Sequence, residues 1–260
     1  EALSERAIEN MMSLSFFSDV RSLIDASDEY SGFVSLGPAP LTREDLTALH
    51  EALPHGVFID INPAPTLFHS VRPDLQQTVI EAIYALREQG RTRIGFIGGD
   101  GHMMGSHLFC QDPRTIAFDE WARLLNMPVE GLVFATGPFT VDNGRRQAEA
   151  LLDACGQKVP DALLVAADSL AAGVLQALFA RGIRVPEQVA VVSLDNLEVC
   201  EYTAPPLSSY AIEPSELAET TLMLLSDSIV GRFKHKHHIL LSTRLVARQS
   251  FVPAEEASES

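Results

Sequence analysis

A single strand–helix–strand unit, encoded by residues 160–196, constrains the fold of this chain more than any other stretch. Residues 162–167 form an uninterrupted apolar run, which predicts a buried strand. Asp168 follows at the position expected for a helix N-cap, and apolar residues then recur at helical spacing until Gly182 provides a stop. Residues 189–194 predict a second apolar strand. Two buried strands joined through a helix are typical of parallel neighbours in an α/β sheet.

Acidic side chains follow both strands of this unit. Asp168 comes after the first strand, and Asp195 and Asn196 come after the second. Ligands bind open α/β sheets at the carboxyl ends of the strands, so the two carboxylates are candidate ligand contacts. The alternative is that Asp168 only caps its helix and Asp195 only ends its strand. For Asp168 alone the capping interpretation is favoured, whereas the pair leaves both interpretations open.

The totals of the chain describe a globular protein. Its 260 residues are enough for two lobes, and 46% hydrophobic with 21% charged residues is a globular balance. There is no apolar run long enough to span a bilayer, and the N-terminus is charged from Glu1, so neither a membrane segment nor a secretory signal is expected. Cys110, Cys155 and Cys200 are odd in number and lack CxxC spacing, which favours reduced thiols in the cytoplasm.

The net charge of −16 bears directly on possible partners. The chain carries 19 Lys and Arg against 35 Asp and Glu. Phosphate backbones are bound by clustered basic side chains, so we expect that this stretch does not bind nucleic acid by itself. A segment outside this sequence could do so.

Strands and helices alternate from Ser31 onward, after thirty residues that suggest two helices with no strand before them. The predicted strands are 32–36, 57–61, 94–97, 132–135, 162–167, 189–194 and 239–246, and the predicted helices are 42–53, 74–89, 114–125, 141–155, 168–181 and 215–229. Ala204-Pro205-Pro206 interrupts this rhythm and predicts a crossing between lobes. The alternation indicates parallel sheets covered by helices on both faces.

The glycine-rich stretch at residues 98–112, GGDGHMMGSHLFCQD, is the longest irregular segment in the middle of the chain. A metal site built from His102, His107 and Cys110 is one interpretation, but neither their spacing nor a fourth ligand supports it. A phosphate-binding loop is disfavoured too, because neither GxGxxG nor GxxxxGK[ST] is present. A surface loop that connects two lobes is the favoured account.

Other signatures of catalysis or metal binding are weak. His235, His237 and His238 alternate with lysines, which is more typical of a solvated turn than of a metal site. There is no GxSxG elbow, P-loop or set of metal ligands, and isolated acids are not a catalytic pair. We therefore predict no enzyme activity, no metal and no cofactor.

Several stretches together resemble the effector domain of LacI/GalR-family transcriptional repressors. PDALLVAADSLAAGVLQALFARGIRVPEQVAVVSLDN and the following PPLSSYAIEPSELAETTLMLL look like its C-terminal half, and REQGRTRIGFIGG and RTIAFDEWARLL match upstream in order and spacing. The resemblance covers residues 32–251. It implies an α/β, two-lobed periplasmic-binding-protein-like fold in which each lobe is a parallel sheet flanked by helices.

On this resemblance we predict one lobe from residues 1–99 and 211–236 and the other from residues 100–210 and 237–252. Residues 253–260, PAEEASES, are predicted to be a disordered tail. In the family a helix-turn-helix precedes this domain, and it is absent from this chain.

The resemblance also implies effector-binding roles for five residues. Asp74 matches the acidic residue that reaches the effector in sugar-binding members, and Phe139 lies near the position of an aromatic that stacks on a sugar ring. Arg114 matches an arginine whose guanidinium can form a charge-assisted fork with a hydroxyl or a carboxylate. Asp195 matches the aspartate of the G-[FY]-D-[DN] motif, and Asp168 matches the aspartate that opens the preceding helix.

The chain also departs from the family pattern. Ala167 stands where the family has Asn, Ser193 stands where it has Gly, and Ile212 stands where a Gln is frequent. The usual first strand is not recognisable. These departures put ordinary sugar specificity in doubt and favour a larger or less polar effector.

The sequence therefore predicts the effector-sensing and dimerisation domain of a cytoplasmic transcription regulator. A small molecule, expected to be a sugar, would bind between the lobes and shift operator affinity by as much as it prefers one lobe arrangement. Its partners would be operator DNA, through the absent helix-turn-helix, and a second copy in a homodimer or a tetramer, with no membrane. A periplasmic-type sugar-binding protein is the alternative, and an encoded signal peptide would favour it.

Overall fold

The computed structural model describes residues 2–37, 41–102, 109–110, 112–156 and 158–253, with the backbone alone at 101–102 and 109–110. The described residues form two compact units. Unit 1 comprises residues up to Asp74 together with Glu213–Leu241. Unit 2 comprises Leu75–His102, residues 109–212 and the chain from Ser242 onward. The chain thus passes from one unit to the other more than once.

Helices and strands alternate through most of the chain. The helices are α1 (Ala2–Glu9), α2 (Val20–Asp25), α3 (Arg43–Ala52), α4 (Leu75–Glu88), α5 (Pro113–Leu124), α6 (Val141–Cys155), α7 (Asp168–Ala180), α8 (Val199–Tyr202) and α9 (Pro214–Ile229). The strands are β1 (Phe33–Leu36), β2 (Gly56–Ile59), β3 (His69–Pro73), β4 (Ile94–Gly98), β5 (Gly101–His102), β6 (Phe109–Cys110), β7 (Val133–Ala135), β8 (Ala162–Val165), β9 (Ala190–Asp195), β10 (Ser208–Ala211), β11 (His238–Leu241) and β12 (Arg244–Val246).

Unit 1 is built on a four-stranded parallel sheet with the order β1-β2-β3-β11. Because side chains alternate across a strand, Val57 and Phe58 of β2 pack on opposite faces. Val57 joins Leu224 and Leu225 of α9, whereas Phe58 joins an aromatic and leucine cluster under α3. Each fully buried large apolar side chain contributes roughly 1.5–3 kcal/mol of transfer free energy. The sheet is therefore covered by helices on both faces.

Unit 2 is built on a six-stranded sheet with the order β12-β10-β9-β8-β4-β7. All neighbours are parallel except β12, which is antiparallel to β10. Phe96 of β4 packs with Ile83 of α4 and Phe118 of α5 on one face, and Ile97 packs with the buried sides of α6 and α7 on the other. These two layers hold the carboxyl ends of β8, β9 and β10 in fixed register.

Two glycines allow α6 and α7 to pack backbone against backbone. A Cβ atom on Gly144 would collide with the carbonyl of Leu170, and one on Gly173 would collide with the carbonyl of Val141. Neither neighbour is a flexible side chain that could move aside. The close approach places the start of α7, and thus Asp168, at a set distance from the loop that precedes α6.

The predicted α/β architecture, with parallel sheets flanked by helices, is confirmed. Predicted helix boundaries agree with the structure within about two residues for α3 to α7 and α9, since strong apolar periodicity marks them. Thr42 and Asp45 form a complete capping box at the start of α3, with bonds of 3.1 and 3.0 Å. In the part of the chain that is described, no helix combines the length and apolarity needed to cross a membrane.

Three sequence predictions about the strands and crossings are wrong. β3 lies between the predicted strand 57–61 and the predicted helix 74–89, where no strand was predicted. The predicted strand 239–246 is two strands, β11 in unit 1 and β12 in unit 2. Ala204-Pro205-Pro206 is not a crossing, because it leads into β10, which pairs with β9 inside unit 2. The passage to unit 1 comes later, between Ile212 and Glu213.

The division into units also differs from the predicted lobe boundaries. The first passage follows Asp74 rather than residue 99, because Val79, Ile83 and Leu86 of α4 belong to the same core as Phe96. The last passage follows Leu241 rather than residue 236, since β11 pairs with β3. Residues 254–260 of the predicted tail lie outside the described residues.

Candidate functional site

Asp168 lies at the centre of the polar groups that gather where β8, β9 and β10 end. Its side chain is fully buried. Oδ1 accepts hydrogen bonds from Ser193 Oγ at 2.5 Å and from Ser209 Oγ at 2.6 Å, and Oδ2 accepts one from the Leu197 amide at 2.6 Å. A carboxylate can be buried in this way only when donors surround it.

The prediction that Asp168 is the helix N-cap is wrong. Ala167 occupies the cap position, and Asp168 is the first residue of α7. Its carboxylate is taken up by the two serine hydroxyls and the Leu197 amide rather than by the amides of its own helix. The negative charge at the N-terminal end of α7 still interacts favourably with the helix dipole.

Asp195 ends β9 in an unusual turn. Asp195 has φ of 105° and Asn196 has φ of 53°, so two successive non-glycine residues adopt conformations that L-amino acids disfavour. The Asn196 amide donates to Ser209 Oγ at 3.0 Å, and Arg248 donates to the Asn196 side-chain oxygen at 2.9 Å. These bonds hold the turn and set the direction of the Asp195 side chain.

Burial raises the pKa of Asp195 to about 7. Arg114 opposes this shift, whereas the nearby carboxylates of Asp168 and Asp112 add to it. Asp195 therefore stands close enough to Arg114 for the two side chains to interact electrostatically. A carboxylate with a pKa near 7 changes its charge in the physiological range.

Arg114 is fixed by the start of α5. Asp112 caps that helix and also accepts from Arg114 Nε and Nη2, each at 2.8 Å, in a bidentate pair. Arg114 Nη1 donates to the Ala166 carbonyl at 2.7 Å, just after β8. Its Cζ lies 4.7 Å from the centroid of the Phe139 ring, within cation–π range.

Phe139 lies in a loop that α6 and α7 hold in place. Asn143 Nδ2 donates to the carbonyls of Thr136 and Pro138 at 2.7 and 2.8 Å, and Ser169 Oγ donates to the Phe139 carbonyl at 3.0 Å. A Cβ atom on Gly99 would lie 2.9 Å from the Phe139 ring, so a glycine there lets the ring approach β4. The ring is thus positioned beside Arg114 by backbone contacts.

Unit 2 brings together four of the five predicted site residues: Arg114, Phe139, Asp168 and Asp195. Asp74 belongs to unit 1, where it follows β3 and its amide donates to the Leu241 carbonyl at 2.8 Å. The effector-binding roles of all five stay predictions. The structure adds three polar groups that sequence reasoning missed, namely Asp112, Ser209 and Arg248. It also gives contacts to Ser193 and Asn196, which were named from the sequence without a role.

A sequence signal existed for some of these residues. Asp112-Pro113 immediately before Arg114 has the pattern of a helix N-cap followed by Pro at N1. Ser193 was visible as a departure from the family glycine. Ser209 could not be found in this way, because its role depends on the pairing of β10 with β9.

The structure provides no metal centre within its described residues: no three His, Cys, Asp or Glu side chains there are arranged to hold a metal ion. The candidate metal ligands His102, His107 and Cys110 lie outside the residues whose side chains are described. His238 contacts Ser70 Oγ at 2.8 Å and the Pro65 carbonyl at 3.1 Å. His235, His237 and His238 are exposed, but the predicted turn is wrong for His238, which is the first residue of β11.

Comparison with known proteins identifies the class of this fold. Residues 83–251 match the periplasmic binding protein-like domain. The chain is 36% identical over 256 residues to the HTH-type transcriptional regulator LacR of Lactobacillus helveticus, which covers 98% of this chain and 76% of that protein. It is 34% identical to the HTH-type transcriptional regulator GanR of Bacillus subtilis (strain 168), covering 84% of this chain and 66% of that protein. It thus spans 66% to 76% of the length of these two relatives.

Solved structures agree with this class. The transcriptional regulator CelR–cellobiose complex superposes with a TM-score of 0.75 at 26% identity, covering 96% of this chain and 77% of that one. The lac repressor dimer bound to operator and an anti-inducer superposes with a TM-score of 0.76 at 22% identity, covering 96% and 87%, and supports the fold.

The described units therefore form a periplasmic-binding-protein-like domain of the kind found in transcription regulators. The chain belongs to the LacI/GalR family of HTH-type transcriptional regulators. The family resemblance drawn from the sequence is confirmed, and it displaces the alternative of a periplasmic-type sugar-binding protein.

Proposed function

We propose that this chain is the effector-sensing domain of a DNA-binding transcription regulator and that its effector is a sugar. The observation that carries the proposal is the grouping of the Asp195 carboxylate, the Arg114 guanidinium and the Phe139 ring at one edge of the unit 2 sheet. The strand ends of an open α/β sheet are where such ligands bind. The CelR–cellobiose complex, at 26% identity, supports the choice of a sugar.

Each of these groups has a distinct use toward a sugar. A carboxylate accepts hydrogen bonds from hydroxyl groups, and a guanidinium held in a bidentate pair presents donors in a fixed plane. A flat aromatic ring covers the apolar C–H face of a pyranose and excludes water from it. Asp74 is included as a further effector contact on its match to the family alone.

In this proposal the bound sugar changes the affinity of the full-length regulator for operator DNA. It can do so only by as much as it binds one conformation more tightly than the other. Operator contacts come from a helix-turn-helix outside these residues, in keeping with the names of the relatives and with the acidic charge of −16. The regulator works in the cytoplasm, and the domain itself carries out no catalysis.

We further propose that the regulator is a homodimer. Supporting this, Phe179 on α7 and Tyr202 on α8 are 80% and 75% exposed, and a groove lined by Leu175, Val185 and Pro205 lies beside Phe179. Exposed aromatic side chains beside an apolar groove favour an association site. Sedimentation velocity of the full-length protein tests this, and a monomer at micromolar concentration excludes it.

Calorimetry with this chain and with the full-length protein tests the sugar proposal. Titration with cellobiose, lactose, galactose and glucose should reveal binding of at least one of them. Asp195→Ala should weaken that binding by about tenfold or more, since a hydrogen bond to a charged group contributes about 1.5–3 kcal/mol. Asp153→Ala, which removes an exposed carboxylate paired with Arg181, is the matched control and should bind normally.

The two possible failures are separate. If no sugar in the panel binds, the effector class is wrong. If a sugar binds and Asp195→Ala binds it as tightly as the wild type, the class stands and the site is wrong.

A further inference from the structure

The fully buried carboxylate of Asp168 accepts hydrogen bonds from both sides of the Asp195–Asn196 turn and from the neighbouring strand. We propose that Asp168 is a positioning residue for the effector site, in place of the effector contact that the family resemblance implies for it. With Ser193 and Ser209 it holds the Asp195–Asn196 turn without touching the effector itself. The inference rests on the proposed function of Asp195.

The contacts of Asp168 join three stretches of backbone around the turn. Ser193 lies in β9 just before the turn, and Ser209 lies in the neighbouring strand β10, directly opposite Ser193 in the register. Leu197 follows the turn and donates its amide to Asp168 Oδ2 at 2.6 Å. The carboxylate is therefore bonded both before and after Asp195, on its own strand and on the next one.

Ser209 transmits this arrangement directly to the turn. Its hydroxyl donates to Asp168 at 2.6 Å and accepts from the Asn196 amide at 3.0 Å. Donation to Asp168 fixes the hydroxyl rotor, so the lone pairs of Ser209 face the Asn196 amide. The result is a directed chain of bonds from Asn196 through Ser209 to Asp168.

A turn of this kind depends on such support. Asp195 and Asn196 both have positive φ, a conformation that persists in non-glycine residues only when the surroundings enforce it. Asp168 suits the task because an ionised carboxylate only accepts hydrogen bonds, and the Ser193 hydroxyl, the Ser209 hydroxyl and the Leu197 amide all donate to it. An amide in its place would turn its NH₂ group toward one of those donors.

Two departures from the family pattern acquire a common explanation. Ser193 replaces a glycine of the family motif, and its hydroxyl donates to Asp168 at 2.5 Å. Ala167 replaces an asparagine, so the residue beside Asp168 brings no amide to the site. The polar partner of Asp168 is therefore the Ser193 hydroxyl of β9 instead of an amide on the neighbouring residue. This hydroxyl supports the turn and does not face a ligand.

The decisive experiment is a double-mutant cycle of Asp168→Asn and Asp195→Asn in the full chain, with the affinity for the sugar that binds measured by calorimetry. Asp168→Asn should weaken binding about tenfold in the wild-type background and less than twofold in the Asp195→Asn background, because its effect passes through Asp195. Equal losses in both backgrounds, or no loss in either, overturn the proposal. Asp153→Asn should change neither affinity.

A second measurement does not depend on any sugar. By NMR, Asp168→Asn should lose hydrogen-exchange protection at the Leu197 and Asn196 amides while the Val191 amide in β9 keeps its protection. It should also lower the pKa of Asp195, because the charge of Asp168 helps to raise it. Unchanged protection and an unchanged pKa overturn the positioning role even if the sugar proposal itself has failed.

Ser209→Ala provides the same test if Asp168→Asn does not fold. It removes one bond to Asp168 and the acceptor of the Asn196 amide, and should reproduce the loss of affinity and of Asn196 protection. Ser193→Ala removes a bond to Asp168 but none to the turn, so its effect should be smaller. The opposite ranking of the two serine variants contradicts the proposal.

Discussion

Unit 1 and unit 2 share the alternation of strands and helices but differ in how completely their sheets are buried. Every residue of β4 and β8 in unit 2 is buried, as are the first five residues of β9. The outer strands are largely exposed or half-buried in both units, β7 and β12 in unit 2 and β1 and β11 in unit 1. In unit 1, however, even the inner strands β2 and β3 are buried only over their first three residues. The candidate site thus stands on the more completely buried sheet, which is the better support for side chains that must hold a fixed geometry.

The outer edge of β1 adds to this difference. The Phe33 amide donates to the His55 carbonyl just before β2, and the Gly37 amide donates to the Ile59 carbonyl at its end. Alternation therefore directs the amides of Val34 and Leu36 to the other side. A groove of about 340 Å³ runs along that side, lined largely by apolar residues of β1, α2 and the segment before α2. Phe16 in this segment is 78% exposed. We therefore expect unit 1 to open more readily than unit 2.

The largest expected effect concerns the helix pair of unit 2. Gly173→Val should lower the free energy of unfolding by at least about 3 kcal/mol, because the added side chain collides with the backbone of Val141 and Arg145 in α6. Chemical denaturation monitored by circular dichroism measures this. Gln176→Ala, at an exposed position of the same helix, should stay within about 0.5 kcal/mol of the wild type.

A change in the free energy of unfolding well below about 3 kcal/mol for Gly173→Val would contradict the difference drawn between the two units. It would mean that α6 and α7 can separate at little cost, and that unit 2 is not the rigid support that its burial indicates.

Arg114→Lys comes next and tests whether the site needs a fixed fork or only a positive charge. Lysine keeps the charge but loses the bidentate pair with Asp112, and it stacks less well on Phe139. We expect sugar affinity to fall about 10- to 100-fold, equivalent to roughly 1.5–3 kcal/mol, in calorimetry. Arg181→Lys, at an exposed ion pair, should bind as the wild type does. If Arg114→Lys binds the sugar as tightly as the wild type does, the site needs only the positive charge of Arg114 and not its fixed guanidinium.

The elements and residues predicted from sequence are those with a strong local signal. β8, β9, α6 and α7 carry apolar runs or helical periodicity, and all four were predicted. β3 and β10 were missed because their buried positions include His69, Ser70, Ser208 and Ser209, which carry no apolar pattern. Hydrogen bonds satisfy these side chains instead, such as Ser208 Oγ to the Phe251 carbonyl at 2.6 Å.

The residues of the candidate site were also predicted only where the local sequence marks them. Asp195 and Arg114 were found because family motifs mark them, whereas the support of Asp195 comes from across the sheet. Ser209 faces Ser193 only through the register of β10 on β9, and Arg248 reaches Asn196 from a segment about fifty residues away in the chain. Local sequence does not specify such pairings, so the supporting residues become visible only in the folded structure.

The smallest expected effect is an opposite response of the two units to acid. Burial lowers the pKa of His69 in unit 1 to about 4, with nearby Lys236, His237, His238 and His55 contributing, and its Nδ1 accepts the His237 amide at 3.0 Å. Because the folded pKa lies below the ordinary value of 6.5, the stability that neutral His69 contributes is present above pH 6.5 and is lost as the pH falls toward 4. The loss is at most about 1.4 kcal/mol per pH unit.

For Asp195 in unit 2 the dependence of stability on pH has the opposite sign. Its folded pKa of about 7 lies above the ordinary value of 3.8, so its contribution to stability is full below pH 3.8 and is lost as the pH rises through 7. Hydrogen exchange at pH 7 and pH 5 should therefore show protection falling in β3 and β11 while it holds or rises at the end of β9. His69→Gln should remove the acid sensitivity of β3 and β11 and leave β9 unchanged. Parallel changes in both units, or acid sensitivity that survives His69→Gln, would show that the units do not respond to acid separately and that His69 is not the titrating group.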